Sequence, residues 1–169
     1  KLVLSNFRSF GNFHKIQERK VLEKNDEAIK NYVKFVLDIV GNKNANEIKE
    51  SGQKIVLDPN GGTGVIAKKI LERINVETIG INMNYGEFNR AIEPNEDSLV
   101  YLKTAIDENK ADFAVGFDCD ADRLGVLLNN GGLLSGHYIL ALAVDEILSN
   151  SNNQKKQTVV INDATSNVV

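Results

Sequence analysis

Short apolar runs alternate with longer segments of helical periodicity along most of this chain. The first helical pattern begins near Asn25 or Asp26, continues to about Val40 and ends at Gly41, with a polar loop or short helix over residues 42–53. The strands predicted after it are Lys54–Asp58, residues 78–82, residues 112–117, Leu124–Leu128 and residues 158–162. The helices predicted between them are residues 65–74, residues 96–109 with a cap near Asn95, and Gly136–Ser149, which is largely apolar and so expected to be well packed.

This alternation predicts an α/β fold with three layers, α/β/α, because strands that alternate with helices form a mainly parallel sheet covered on both faces. The segment Asn129-Asn130-Gly131-Gly132 has the composition of a hairpin turn between two short apolar runs. A hairpin reverses the chain direction within the sheet. We therefore expect a mainly parallel mixed sheet that contains one antiparallel strand.

Three carboxylates follow the predicted strand at residues 112–117. Asp118, Asp120 and Asp122 occupy alternate positions, and on an extended backbone alternate side chains point to the same side. Clustered carboxylates repel one another, and a hard divalent cation such as Mg²⁺ relieves that repulsion through oxygen ligands. Because the spacing along a straight strand is too wide for one ion, the segment must curl. Arg123 follows directly and can pair with a carboxylate or approach a phosphate.

Two other types of site that contain alternating acids, the EF-hand and the phosphatase site of the haloacid dehalogenase type, do not fit these residues. An EF-hand loop that begins at Asp118 requires Gly at its sixth position and Glu at its twelfth, where this chain has Arg123 and Asn129. A phosphatase of the haloacid dehalogenase type usually has Thr or Val where Asp122 stands. A solvated acidic turn without a ligand is the remaining alternative.

Four segments, in the same order, are similar to the motifs of one known family. Residues 56–64, V-L-D-P-N-G-G-T-G, resemble its strand and glycine-rich turn, and residues 86–97 resemble its G-x-F and P-N-P-E segment. Residues 116–125, G-F-D-C-D-A-D-R-L-G, are similar to its metal loop, D-G-D-x-D-R, and residues 163–166, D-A-T-S, resemble its closing strand. This family is the α-D-phosphohexomutases, which are the phosphomannomutases, phosphoglucomutases and phosphoglucosamine mutases, and the resemblance covers about residues 20–169.

The departures from the family pattern concern the catalytic parts. Cys119 replaces the first glycine of the metal loop, which would cost strain if that position needs positive φ. The family's phosphoserine loop, T-A-S-H-N-P, and its sugar-specificity loop, G-E-x-S-G-H, do not occur in the sequence. The chain therefore resembles the second of four domains: residues 1–20 are expected to connect from a missing first domain, and residues 21–169 to form the metal-binding domain. Because the catalytic serine is missing, we expect the chain to be inactive alone.

What the resemblance implies is an isomerase that interconverts hexose 1-phosphate and hexose 6-phosphate, with Mg²⁺ as cofactor. A phosphoserine on another domain transfers its phosphoryl group, so the protein is a phosphoprotein and the implied partners are a hexose phosphate and the remaining mutase domains. Asp118, Asp120 and Asp122 would bind the Mg²⁺, and Arg123 would have a supporting role, most simply a local salt bridge. A non-catalytic metal-binding module stays open as an alternative.

A second glycine-rich signal favours a different class of protein. Gly62-x-Gly64-x-x-Ala67 lies between a predicted strand and helix and fits the short dinucleotide fingerprint of a nucleotide-binding oxidoreductase. The acid that should end the next strand is absent, because Asn82, Met83 and Asn84 stand there. We therefore favour a tight turn into a helix.

Composition and charge narrow the classes further. The 169 residues are 42% hydrophobic, which suits one core, and the net charge of −3 gives no sign of nucleic-acid binding. No apolar run reaches the length of a membrane span, so no membrane association is expected. A single cysteine suits a reducing compartment, so a cytoplasmic location is expected. Arg90, near Glu93, either orients a loop or contacts substrate.

Overall fold

A computed structural model of the chain describes residues 23–149 and 158–160. The helices of these residues are α1 (Asn25–Ser51), α2 (Ile66–Arg73), α3 (Glu96–Leu99), α4 (Leu102–Asn109) and α5 (Gly136–Ser149), with a 3₁₀ turn at Thr63–Val65. The strands are β1 (Lys54–Asp58), β2 (Glu77–Gly80), β3 (Phe113–Phe117), β4 (Leu124–Leu128) and β5 (Leu133–Leu134). The predicted connecting segment, residues 1–20, and the D-A-T-S segment lie outside the described residues.

The strands form one sheet in the order β2-β1-β3-β4-β5. Strand β1 pairs in parallel with both β2 and β3, whereas β4 pairs antiparallel with β3 and with β5. Strand β4 is therefore the one that runs against the other four, and the turn at residues 129–132 makes the hairpin that was expected. The predicted α/β class and the mainly parallel mixed sheet with one antiparallel strand are confirmed.

Both faces of the sheet carry helices: residues 55–58 of β1 are all buried, and their successive side chains point to opposite sides. On one face, Val56 packs with Leu99, Leu102 and Ile106 from α3 and α4. On the other face, Ile55 packs near Leu71 of α2 and beside side chains of α1. Each face buries its own apolar cluster, which gives the three-layer arrangement that the sequence predicted.

The first helix is longer than its pattern indicated. It begins with Lys24 as the N-cap, and it continues beyond Gly41 to Ser51, with Gly41 at φ 76° and ψ 155° as a kink between two helical parts. The prediction that the helix stops at Gly41 located the break correctly but missed that the second part is helical. Gly52 ends the helix in the left-handed region, where a glycine has no Cβ penalty.

The predicted helix over residues 96–109 consists of α3 and α4. Asn95 caps α3 with a reciprocal pair of bonds: its side-chain oxygen accepts from the Ser98 N–H, and the Ser98 Oγ accepts from the Asn95 N–H, both at 3.0 Å. Between the two helices, the Lys103 N–H donates to the Val100 carbonyl three residues back. This tighter step separates the two helices and still leaves Leu99 and Leu102 fully buried.

Helix α5 has the predicted bounds, but the expectation that it is well packed is wrong. None of its residues is buried, and Leu140, Leu142 and Ile147 are 51%, 60% and 65% exposed. The helix packs on β4 and on β5, a strand of two residues at the edge of the sheet, and so short an edge covers little of its apolar surface. No helix in the described ranges is long and apolar enough to cross a membrane.

The last predicted strand is not found in the part of it that the structure describes. Residues 158–160 have no assigned secondary structure, and Val160 is 90% exposed, whereas residues 161–162 lie outside the described ranges. A strand needs a neighbouring strand for its backbone hydrogen bonds, and Val160 is too exposed to lie beside one. The described sheet therefore ends at β5.

Candidate metal centre

The parallel strands β1 and β3 lie side by side, so their carboxyl ends meet at one edge of the sheet. The chain leaves β1 toward β2 on one side and leaves β3 toward β4 on the other. Such a reversal opens a crevice between the two strand ends, where open α/β sheets usually bind ligands. Asp58 ends β1 and Asp118 follows β3, and both are fully buried.

The three acids predicted as metal ligands come together in the loop between β3 and β4. One carboxylate oxygen from each of Asp118, Asp120 and Asp122 lies within 4.8 Å of the other two. The loop curls as expected, with Ala121 in the left-handed region at φ 61°. Cys119 is not among the residues with positive φ. Its side chain therefore carries none of the strain that its glycine-like position suggested.

Arg123 is bound into this loop on several sides. Its Nε donates to Asp118 Oδ2 at 2.8 Å and lies 3.4 Å from Asp122 Oδ1, while its Nη1 pairs with Glu93. The Arg123 backbone N–H also donates to Asp118 Oδ1 at 3.2 Å. The local salt bridge considered for Arg123 is therefore present, and Glu93 pairs with Arg123 rather than with the nearer Arg90.

The pKa values of the acids follow from these partners. Burial acts to raise the pKa of Asp118, but the backbone and side-chain hydrogen bonds from Arg123 outweigh burial and hold that pKa below its usual range. A hydrogen bond with Asp118, then the charge of Asp120, raise the pKa of Asp122. Asp120 is exposed and makes no hydrogen bond or ion pair with any residue that the structure describes. The loop thus holds more negative charge than Arg123 balances.

The glycine-rich turn after β1 packs against the acidic loop rather than forming an open cradle. A Cβ on Gly62 would lie 2.7 Å from the Cys119 Cα, so only glycine allows this approach. The Gly61 N–H donates to Asn82, the Gly62 N–H to Pro59 and the Thr63 N–H to Cys119, at 2.7 to 2.9 Å.

Because these three N–H groups already have backbone partners, they are not free to hold a pyrophosphate or another anion. The Thr63 hydroxyl likewise donates to the Cys119 carbonyl, at 3.4 Å. The interpretation of the glycines as a tight turn into a helix agrees with this geometry, and the dinucleotide fingerprint does not.

A polar network surrounds the buried Asp58 at the end of β1, and sequence reasoning did not find it. Asp58 accepts hydrogen bonds from the Asn60 N–H, Asn82 Nδ2, Arg90 Nε and the Tyr101 hydroxyl, at 2.5 to 3.2 Å. Burial and the hydrogen bond to Asp58 raise the pKa of Tyr101, so the phenol stays protonated. The signal in the sequence was Asp58, a charged residue directly after the apolar run of residues 55–57.

An open groove runs from the acidic loop along the start of α5. Its lining includes Asp122 and Arg123 of the loop, Pro94 and Leu124, and His137 of the helix. The groove places an apolar wall next to the exposed acids.

Comparison with known proteins shows which family of domains the chain resembles. Residues 30–132 match the family model for phosphoglucomutase/phosphomannomutase, alpha/beta/alpha domain II. The chain is 35% identical over 117 residues to the "Probable phosphoglucosamine mutase" of Pyrococcus abyssi, covering 68% of this chain and 26% of that protein. It is 33% identical over 132 residues to the "Phosphomannomutase" of Methanocaldococcus jannaschii, covering 75% and 27%.

A solved structure, titled as a putative phosphomannomutase from Thermus Thermophilus, superimposes with a TM-score of 0.59 at 24% identity. The match covers 76% of this chain and 30% of that one, and it supports the fold alone. The chain spans about a quarter to a third of the length of these relatives. Because the family model covers most of the chain, this protein belongs to the phosphoglucomutase/phosphomannomutase family, of which it contains the α/β/α domain II.

Proposed function

We propose that this chain is the metal-binding domain of a phosphohexomutase, an isomerase that interconverts hexose 1-phosphate and hexose 6-phosphate. The observation that supports this most strongly is the convergence of Asp118, Asp120 and Asp122 in a chain of this family. The phosphoserine that donates the phosphoryl group would come from another domain of the same enzyme, so the domain alone should be inactive. The two curated relatives described above are named as a probable phosphoglucosamine mutase and a phosphomannomutase, names that denote mutases of sugar phosphates.

The donor atoms fit a Mg²⁺ ion. All are carboxylate oxygens, the type of ligand that Mg²⁺ prefers. Octahedral coordination at about 2.1 Å places ligand oxygens about 3 Å apart when adjacent and about 4.2 Å apart when opposite. The carboxylate oxygens of Asp118, Asp120 and Asp122 lie within 4.8 Å of one another. Shifts of roughly 1 Å by each carboxylate would bring them to the separations of an octahedral site.

The roles of the chain's own residues follow from their charges. Bound Mg²⁺ would supply positive charge next to phosphoryl oxygens, and electrostatic stabilisation of this kind carries most of the catalysis in phosphoryl transfer. Asp118 stays ionised because Arg123 lowers its pKa, so it is ready to bind a cation without first losing a proton. Arg123, which also pairs with Glu93, fixes the carboxylate of Asp118 through its Nε.

The first test of this proposal is Mg²⁺ binding by the 169-residue chain, measured by titration calorimetry. Asp120→Asn should raise the Kd at least about tenfold, because it replaces a charged ligand that has no other described partner with a neutral amide. Asp107→Asn is the matched control: it changes an exposed acid on α4 that pairs with Lys103, and it should leave the Kd unchanged. Equal Kd values for wild type and Asp120→Asn would contradict the assignment of the ligands.

The second test addresses the reaction. The full-length natural protein that contains this domain should convert hexose 1-phosphate to hexose 6-phosphate in a coupled assay. Asp120→Asn in that protein should lower kcat. The 169-residue chain measured in parallel should show no turnover. Turnover by the isolated chain would refute the proposal that the serine comes from another domain.

A further inference from the structure

The side chain of Arg90 joins the carboxyl ends of two neighbouring strands. Its Nε donates to Asp58 Oδ2 at 2.6 Å on the β1 side, and its Nη2 donates to the Phe117 carbonyl at 2.6 Å on the β3 side. Only 5% of the Arg90 side chain is exposed. The crevice between these strand ends, where open α/β sheets usually bind a ligand, is therefore occupied by the protein's own guanidinium.

The Phe117 carbonyl belongs to the peptide unit that leads into the first acid of the loop. The N–H of the same peptide unit is that of Asp118, and it donates to the Arg123 carbonyl at 3.2 Å. Arg90 thus holds one end of this peptide plane while Arg123 holds the other. With both ends bonded, the plane cannot rotate freely, and the direction in which the Asp118 side chain leaves the backbone is set.

We infer that Arg90 is a positioning residue for the metal centre: by holding the Phe117 carbonyl, it aims the Asp118 carboxylate at Asp120 and Asp122. This inference rests on the proposed function, because it concerns the same three ligands. Groups that orient metal ligands without contacting the ion commonly change metal affinity by about 10–100-fold when they are removed. Arg90 has this relation to Asp118 through the backbone.

Arginine suits the position because it has five donors in a fixed plane. Its Nη1 donates to the Ala91 and Ile92 carbonyls at 2.9 and 3.3 Å, so the same side chain also ties down the loop that carries Glu93. Lysine carries the same charge on a single nitrogen. It can replace the ion pair with Asp58, but it cannot bridge Asp58 and Phe117 with the same geometry.

Tyr101 provides a matched control within the same network. Its hydroxyl donates to Asp58 Oδ2 at 2.5 Å, the oxygen that also accepts from Arg90, and no hydrogen bond joins Tyr101 to the described backbone of residues 117–123. Tyr101→Phe therefore weakens the network without releasing the Phe117 carbonyl. If Arg90 contributed to stability alone, Arg90→Lys and Tyr101→Phe would both leave the affinity of the metal centre nearly unchanged.

The decisive measurement is the Kd for Mg²⁺ of the 169-residue chain by titration calorimetry. We expect Arg90→Lys to raise the Kd about tenfold and Tyr101→Phe to leave it within about twofold of wild type, after denaturation curves show that each variant is folded. Equal Kd values in wild type and Arg90→Lys would overturn the inference. Equal increases in both variants would also overturn it, because the effect would then follow the network as a whole.

A second measurement without metal separates this inference from the proposed function. Amide hydrogen exchange of Asp118 should become faster in Arg90→Lys than in Tyr101→Phe, because only the first frees the Phe117–Asp118 peptide. If wild type failed to bind Mg²⁺, the proposed ligand set would fall, whereas exchange at Asp118 would still decide whether Arg90 orders the loop. Unchanged exchange in Arg90→Lys would refute that ordering.

Discussion

Asp58 and Asp120 are acids near the ends of adjacent strands, and their surroundings differ completely. Asp58 is fully buried and accepts four hydrogen bonds, one of them from a buried arginine. Asp120 is exposed and has no hydrogen-bond or ion-pair partner among the described residues. A carboxylate that accepts four hydrogen bonds has used the acceptor sites of both its oxygens and has none left for a ligand, whereas an unpaired carboxylate close to two others can gain one.

The two acids belong to two regions with different roles at the same edge of the sheet. The network region, Asp58 with its hydrogen-bond donors Asn60, Asn82, Arg90 and Tyr101, fills the crevice between β1 and β3 and supports the backbone there. The acidic loop, residues 118–123, keeps its negative charge. Removing one partner of a buried ion pair is strongly destabilising, because it leaves the other charge buried and unpaired. The network region should therefore govern stability. The acidic loop, where like charges repel, should govern ligand binding, with Arg90 of the network acting on it through the Phe117 carbonyl. The loop should contribute little to folding.

The largest expected effect is the loss of stability in Asp58→Asn. This variant leaves Arg90 buried without its counter-charge, and breaking a buried pair from one side costs about 3–5 kcal/mol. Urea denaturation of wild type and variant measures the difference. Asp107→Asn, which breaks an exposed pair with Lys103, should cost no more than about 1 kcal/mol. Similar losses in the two variants would remove the contrast between buried and exposed acids.

The sequence made the acidic loop visible because its ligands lie within five consecutive residues. It did not reveal the network, since Arg90 and Tyr101 are 32 and 43 residues from Asp58 and only the folded sheet brings them together. Strand bounds were predictable where an apolar run ends in polar residues, as in β1 and β4. The packing of α5 was not, because apolar content alone does not specify what covers a helix.

The next effect in size is expected where the glycine-rich turn contacts the acidic loop. Gly62→Ala would place a Cβ 2.7 Å from the Cys119 Cα, so the glycine-rich turn or the acidic loop must move. Overpacking against backbone typically costs about 1–3 kcal/mol, and here it should also weaken Mg²⁺ binding by displacing the ligands. Denaturation and calorimetry on the same variant measure both effects.

The control for that contact is Gly132→Ala in the exposed hairpin turn. The nearest atom to a Cβ there is the side-chain oxygen of Asn130 at 3.2 Å, which accepts a hydrogen bond from the Gly132 N–H and needs to shift only slightly on an exposed turn. The cost should stay below about 0.5 kcal/mol, with the Kd for Mg²⁺ unchanged. If Gly62→Ala behaved like this control, the turn and the loop would not be mechanically linked.

The smallest effect, and the one that sharpens the comparison most, concerns the pH dependence of Tyr101→Phe. At pH 7 the loss of the hydrogen bond to Asp58 should cost about 1–2 kcal/mol. Burial and that hydrogen bond raise the folded-state pKa of Tyr101 above the value of about 10 that the phenol has when unfolded. The folded protein therefore favours the protonated phenol.

Its stabilising contribution should be complete below about pH 10 and decrease as the pH rises above that value, because only the unfolded chain then loses the proton readily. The difference in unfolding free energy between wild type and Tyr101→Phe, measured in urea from pH 7 to pH 11, should stay constant to about pH 9 and then shrink. A difference that stayed flat to pH 11 would show that the phenol does not depend on Asp58. Asp58 would then be held by Arg90, Asn60 and Asn82 alone. The stability of the network region would depend mainly on the Asp58–Arg90 ion pair.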